Sequence, residues 1–429
     1  MRTAAPHTLE SYSAFQLRRV LERLREGLYD PLAVHLLTAH RAELDARLRQ
    51  DLLNVEAGVG AHLCVCGPYG QGKSHTLAYL REAALQQGYA VSAVNLDARE
   101  TPLHRFRQVY RALLQGLAFP AEPEKSVAYA SFIDAWNAWV EARAHRSEDR
   151  ASALAALLPA EMPHVFKAIL VALVQPTLEV APRQRGMARY RDFRPGEFPW
   201  ALRRALEGET VPVVRLRAAL KYRQVSFYRQ SSLALSDDES LLQMVLALPQ
   251  LFRRMGYRGW VLLADEGEAI SQVRRPQRAS GYRILHRLLC PNSPLPGFYP
   301  VFAFTPDFFQ HLQEEDYSLP EFDRDYTQAW RQLSLYQLPS LSPAVWRDLC
   351  ETLIALHAAA YGWSADREHL LPLLMAGLST LPLQEPRSTF KALVDELDHV
   401  HQQEWFAQRS TPLIHCSQDP SELPSSHGQ

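Results

Sequence analysis

The 429-residue chain contains no run of eighteen apolar residues, so it lacks the signature of a membrane-spanning helix. Its first twenty residues hold Arg2, His7, Glu10, Arg18 and Arg19 without a long apolar stretch, which argues against a secretory leader and for a cytoplasmic protein. Cysteine is scarce. Cys64, Cys66, Cys290, Cys350 and Cys416 are odd in number and scattered, which disfavours a disulfide framework and reads as reduced thiols. Cys64 and Cys66 share one face of a short apolar strand and read as core packing rather than as metal ligands. Net charge is also nearly absent, at −1. A hydrophobic content of 47% can nevertheless fill a sizeable core, and the length favours two to three domains.

What is present is concentrated first in residues 62–76. Gly67, Gly72, Lys73 and Ser74 are spaced as in the phosphate-binding pattern G-x-x-x-x-G-K-[ST]. The glycines at 67, 70 and 72 let the backbone turn tightly and aim several N–H groups at phosphate oxygens. The run Gly67, Pro68, Tyr69, Gly70, Gln71, Gly72, Lys73, Ser74 and His75 is therefore the candidate triphosphate cradle. Lys73 would reach the β and γ phosphates, and Ser74 would give its hydroxyl to Mg²⁺. The helix opened by Ser74 would direct its positive end at the anion. His62–Cys66 is the apolar strand that must precede such a loop. His75 reads as polar filling in the first helical turn.

A phosphate loop alone does not place a metal or a water. Trp260-Val261-Leu262-Leu263-Ala264 reads as a buried strand, with Asp265 and Glu266 at its carboxyl end, where open α/β sheets bind ligands. Asp265 would hold Mg²⁺ and Glu266 would polarise the attacking water.

Charge asymmetry is local: residues 181–230 hold twelve Lys or Arg against four Asp or Glu. The basic side chains, from Arg183 and Arg185 to Arg223 and Arg229, are interleaved with Tyr190, Phe193, Trp200, Tyr222, Phe227 and Tyr228. Such a mixture can grip phosphates and stack bases, making DNA a candidate partner, or it can form a solvated helical face.

Hydrophobic periodicity then divides the chain. Residues 1–57 read as a helical brace, 58–119 as the first part of a nucleotide core, and 120–240 as a helical, partly basic insertion. Residues 241–340 read as the second part of the core, 341–407 as a helical lid, and 408–429 as a disordered tail. The insertion follows from the 192 positions between Lys73 and Asp265, far more than one helix and strand require. Within it, Val127–Ala144 and Met162–Leu173 are expected to be amphipathic helices. Further strands are expected at Tyr89–Asp97, Tyr299–Thr305 and Gln332–Leu338, five in all, with Pro300 confined to a strand start.

This order resembles the AAA+ ATPases: an α/β P-loop NTPase three-layer sandwich with a five-stranded, mostly parallel sheet, a large helical insertion and a C-terminal helical lid. That resemblance implies a sensor 1 residue at Thr305 and a sensor 2 arginine at Arg387, within Glu385-Pro386-Arg387-Ser388-Thr389. It also implies an arginine finger offered to a neighbouring copy in a homo-oligomer. Arg331 is placed first for that role, Arg324 second and the arginines of 274–283 third.

A narrower resemblance rests on Arg18-Arg19-Val20-Leu21-Glu22-Arg23-Leu24, Gly67-Pro68-Tyr69-Gly70-Gln71-Gly72-Lys73-Ser74-His75, Asp97 with Pro102-Leu103-His104-Arg105-Phe106, and Leu356-His357-Ala358-Ala359-Ala360-Tyr361-Gly362-Trp363. Together these look like the ATP-binding proteins of BREX-type bacterial phage-defence islands. Gly267 departs from the pattern, where Ala or a similar small residue is expected. The resemblance implies ATP and Mg²⁺ as cofactors and other defence proteins, a helicase among them, as partners. Three readings stay open: a DNA-associated motor or loader, a nucleotide-gated scaffold with little turnover, and a metabolic kinase. The last is disfavoured, because no second acid–base constellation accompanies Glu266.

Overall fold

The computed structural model describes residues 9–28, 30–121, 129, 131–143, 154–175, 195–225, 238–291, 293–379 and 385–410. The chain divides into two compact units, one of Thr38–Ser340 and one of Met1–Leu37 with Leu341–Gln429. The N-terminal segment 1–57 is thereby shared between the two.

The first unit is built on a six-stranded sheet of order β3-β2-β4-β5-β1-β6. Its strands are β1 (Leu63–Cys66), β2 (Ala90–Asn95), β3 (Leu117–Ala118), β4 (Trp260–Asp265), β5 (Phe298–Phe304) and β6 (Leu335–Gln337). All pairings are parallel except β2 with β3. The expected five strands are therefore joined by a sixth, too short to carry a period of its own. Gly116 permits it: a Cβ there would lie 2.3 Å from Ala93 O.

The inner strands are buried on both faces, as parallel sheets must be. Side chains alternate, so Trp260, Leu262 and Ala264 of β4 join one large core, while Val261 and Leu263 are buried on the opposite face. On that opposite face the Tyr299 hydroxyl donates to Asp51 Oδ2 at 2.7 Å, fixing the helix Arg41–Glu56 against β5. Helices thus cover both sides of the sheet.

Pro300 sits inside β5, opposite Leu262, rather than at its start. Phe304 O accepts from Gly67 N on the β1 side, and alternation turns the Pro300 nitrogen the same way. The register with β1 begins only at Leu63↔Val301, so no ladder donor is lost there.

The insertion is helical: Phe132–Arg143, His164–Val174, Phe198–Leu206 and Val213–Tyr222 lead into Asp238–Met255. Its side chains share the core with β4 and β5, so it thickens one layer of the sandwich. His164–Val174 is not amphipathic. Seven of its apolar side chains are buried, because only His164 and Lys167 interrupt an otherwise apolar sequence. Trp136 Nε1 donates to Leu170 O at 2.9 Å and ties this helix to its neighbour.

The second unit packs the helix Ala14–Arg25 and the short helix Pro31–Leu37 with Pro343–Tyr361, Arg367–Leu378 and Pro386–Ser410. Ser13 closes a capping box with Gln16, and Gly362 ends Pro343–Tyr361 in the left-handed conformation, φ +68°. Of residues 408–429, expected as a disordered tail, 408–410 instead complete the helix Pro386–Ser410, whose run of hydrogen-bonded turns continues past the last apolar period, and 411–429 lie outside the described residues. Among the described residues no helix is long and apolar enough to cross a membrane.

Candidate functional site

β1 leads straight into the loop Gly67–Gly72. Gly70 and Gly72 adopt φ +80° and +106°, which glycine alone accepts without strain, and Gly72 caps the helix Lys73–Gln86. Gly67 must also be small, because a Cβ would meet Gln71 Oε1 at 2.7 Å and Leu338 Cδ1 at 3.1 Å. Lys73 is buried, its Nζ donating to Gly67 O at 3.0 Å and Pro68 O at 3.3 Å. These carbonyls hold the ammonium within the loop. Ser74 stands in the first turn of the same helix, and Tyr69 projects at the loop tip, 71% exposed.

Two residues of the expected triphosphate cradle, Gln71 and His75, turn their side chains to the protein and brace it. Gln71 Nε2 donates to Leu338 O at 3.0 Å, and Leu338 N donates to Cys66 O at 2.8 Å. His75 Nε2 lies 2.8 Å from Thr38 Oγ1, and desolvation pushes the imidazole down to about 4. Cys64 and Cys66 are buried free thiols.

Since β5 lies between β1 and β4, the carboxyl ends of three adjacent strands meet. They carry the loop, Thr305 and the Asp265–Glu266 pair. Asp265 ends β4 opposite Asn95. Glu266 turns the chain with φ +54°, its backbone N–H donating to Asp265 Oδ1 at 2.9 Å, and its side chain is exposed. Burial and the carboxylates of Asp265, Glu268 and Asp97 raise the Glu266 carboxyl above its ordinary range, with Lys73 opposing.

Glu268 belongs to no motif, yet the structure brings it to the site. It lies in the 3₁₀ turn Gly267–Gln272, and its Oε2 accepts from Thr305 N at 3.3 Å. Burial raises its carboxyl too, with the Lys73 charge opposing. Gly267 is the reason it can sit there: a Cβ would be 2.4 Å from Phe304 Cε1 and 2.8 Å from Ala303 O. The departure at this position thus has a packing cause.

Among the described residues, no group of three His, Cys, Asp or Glu could enclose a metal alone. Ser74 and Asp265 offer hard oxygen donors, which suit a Mg²⁺ that keeps its waters and shares phosphate oxygens. The glycine-lined loop and retracted Lys73 suit a triphosphate equally well.

The remaining candidates are distributed. Arg387 begins Pro386–Ser410 in the second unit, its alkyl stem beside Gly27. Arg331 is exposed, and no side-chain ion pair or hydrogen bond engages it among the described residues. By contrast, Arg278 forms two 2.8 Å bonds to Glu315, and Arg324 meets Asp323 at 3.4 Å and His286 at 2.9 Å. In the basic segment, residues 181–194 and 226–230 lie outside the described residues. Of the rest, Arg204 is paired with Glu209 and lies over Trp200, Arg215 meets Glu197 at 3.9 Å, and Arg223 donates to Gln175 O. Arg203 and Arg217 face solvent.

A family model described as "BREX system ATP-binding protein BrxC/D" matches residues 13–173 and 234–412, leaving the arginine-rich stretch between the matched segments. Among solved structures, the chain is similar to the Walker-type ATPase PABY2304 of Pyrococcus abyssi. Identity is 10%, the alignment covers 86% of this chain and 76% of that one, and the TM-score is 0.32. No curated protein matches.

Proposed function

The chain belongs to the BrxC/D family of BREX system ATP-binding proteins, and from that premise we propose that it is a Mg²⁺-dependent ATPase of the phage-defence machinery acting in the cytoplasm. The observation carrying this reading is the meeting of the β1, β5 and β4 ends, with Lys73 buried in its loop and Glu266 beside Asp265. The loop N–H groups and Lys73 bind and orient the triphosphate. Mg²⁺, held by Ser74 and Asp265, would neutralise phosphate charge. Glu266, beside Asp265 at the end of β4, orients the attacking water. Thr305 senses the γ-phosphate, Arg387 answers from the lid, and Arg331 serves a neighbouring copy in a homo-oligomer. DNA is the proposed partner through residues 181–230, alongside other defence proteins, a helicase among them.

The second reading, a nucleotide-gated scaffold, is favoured by a separate observation. The chain passes between its units at Leu37–Thr38 and at Ser340–Leu341. Thr38 is bonded to His75 in the helix that follows the loop, and Leu338 O to Gln71 within the loop, so the two together touch the chain at or near both crossings. Loading the loop would then bear on the chain at Thr38 and Leu338.

The test is ATP turnover with Mg²⁺, with and without single- and double-stranded DNA. Lys73→Ala should abolish nucleotide affinity. Glu266→Gln should retain ATP while slowing hydrolysis about a hundredfold. DNA stimulation lost in Glu266→Gln supports the DNA-associated ATPase. Tight ATP binding without turnover under every condition supports the scaffold, and Glu266→Gln turning over at the parent rate removes Glu266 from the mechanism.

A further inference from the structure

Glu268 occupies a place that a carboxylate enters only with support. It is half-buried at the sheet end, with Lys73 and Asp265 among the charges acting on it. Its Oε2 accepts the backbone N–H of Thr305, the residue that ends β5 and caps the helix Pro306–Glu314. That helix begins with Pro306, which has no N–H, while Phe308 N is taken by Thr305 O at 3.2 Å. The Thr305 N–H is the donor of this turn that a side chain from outside engages, through Glu268 Oε2. A negative group is also well placed at the positive end of the helix.

Anchoring that N–H fixes the backbone of Thr305 at φ −83° and ψ 155°, and with it the direction of its Cα–Cβ bond. The anchor arrives from the β4 side, because the turn Gly267–Gln272 folds back over the end of β5, with Gly267 against Ala303 O and the Phe304 ring. One short turn thus begins beside the Asp265–Glu266 pair and ends by holding Thr305.

We infer that Glu268 is a positioning residue, which fixes the backbone that carries the Thr305 side chain at the end of β5 by holding the Thr305 N–H. The assignment rests on the ATPase reading for its consequence in turnover, but the bond itself can be tested without turnover. It depends on reach rather than on charge: Gln has the length of Glu and keeps an acceptor oxygen, whereas Asp keeps the charge and falls one methylene short.

Full-length Glu268→Gln, Glu268→Asp and Glu268→Ala are compared with the parent by hydrogen exchange at the Thr305 amide and by ATP turnover, after thermal melts confirm folding. Glu268→Asp and Glu268→Ala should speed exchange at Thr305 about tenfold or more. They should lower kcat by a similar factor while KM for ATP stays within about threefold. Glu268→Gln should restore both quantities to near the parent values. Glu266→Gln should lower turnover without changing Thr305 exchange. If Glu268→Ala fails to fold, the Asp and Gln pair decides alone. Unchanged exchange in Glu268→Asp, or fast exchange in Glu268→Gln, overturns the assignment. A parent without turnover would instead defeat the ATPase reading, leaving exchange to judge the bond.

Discussion

Gly267→Ala is a one-methyl change that the packing does not admit. Glu266 reverses the chain after β4, and Gly267 follows it against β5. The new Cβ would approach Phe304 Cε1 at 2.4 Å, Phe304 Cδ1 at 2.7 Å and Ala303 O at 2.8 Å. Carbon atoms in contact prefer about 3.5–4.0 Å, so the ring must retreat by about 1 Å or more. It has little freedom to do so, since it stacks on Phe308 at 4.4 Å and lies 6.2 Å from Phe302 and 5.6 Å from Phe309. The backbone oxygen cannot leave without disturbing β5. Overpacking of this kind costs about 1–3 kcal/mol. If the turn moves instead, Glu268 loses Thr305 N and Glu266 leaves its position, so turnover falls as well. Denaturant unfolding followed by hydrogen exchange of β4 and β5 reads the first effect, and ATP hydrolysis the second. Gly377→Ala is the control, because nothing lies within 4 Å of its Cβ and its φ is not in the left-handed region. It should be neutral or stabilising by up to about 1 kcal/mol. Parent-like stability and turnover in Gly267→Ala would refute the close-contact argument.

Three further outcomes are expected. Gly72→Ala has open space for its Cβ but φ +106°, so it should cost about 1–3 kcal/mol and weaken nucleotide binding; wild-type affinity measured by equilibrium titration would contradict this. Gln71→Leu keeps much of the volume but frees Leu338 O, so exchange at 335–340 should accelerate, and unchanged exchange there would deny the tether. The second unit should weaken on acidification. Burial pushes the His357 imidazole below its ordinary range despite Asp398, so the unfolded chain takes up protons first as pH falls through about 6.5. Burial would raise Asp398, but the bonds from Arg25 and His357 prevail and hold it low, so its contribution is lost below about pH 4. Hydrogen exchange of Pro343–Tyr361, corrected for intrinsic rates, should show falling protection from pH 7.5 to 5.5, and rising protection would reverse the sign.

The phosphate loop and the acidic strand end were legible because each is written in adjacent residues. A strand of period two, a glycine turn and a helix start are local events, and they also carried the resemblance that the family model bears out. β3 was invisible for the opposite reason. Two residues have no period, and their pairing depends on Gly116 approaching Ala93 O, a contact between separate segments. Met162–Leu173, expected as an amphipathic helix, differs in the structure because His164–Val174 buries most of its sides and has no continuous polar face to reveal its orientation.

Glu268 shows where sequence reading stops at the site itself. In the row Asp265-Glu266-Gly267-Glu268 the adjacent acidic pair attracts attention, and the fourth residue reads as one more solvated carboxylate. Its partner, Thr305, is 37 positions away and contributes a backbone N–H, which every residue except proline possesses and which therefore leaves no mark in the sequence. The same holds for Gln71 with Leu338 O and for Lys73 with the carbonyls of Gly67 and Pro68. Residues that bind phosphate are constrained in type by the ligand and so form motifs. Residues that hold the backbone around them are constrained by the turn that carries them, and here that constraint surfaces in the sequence only as Gly267, a glycine where Ala was expected.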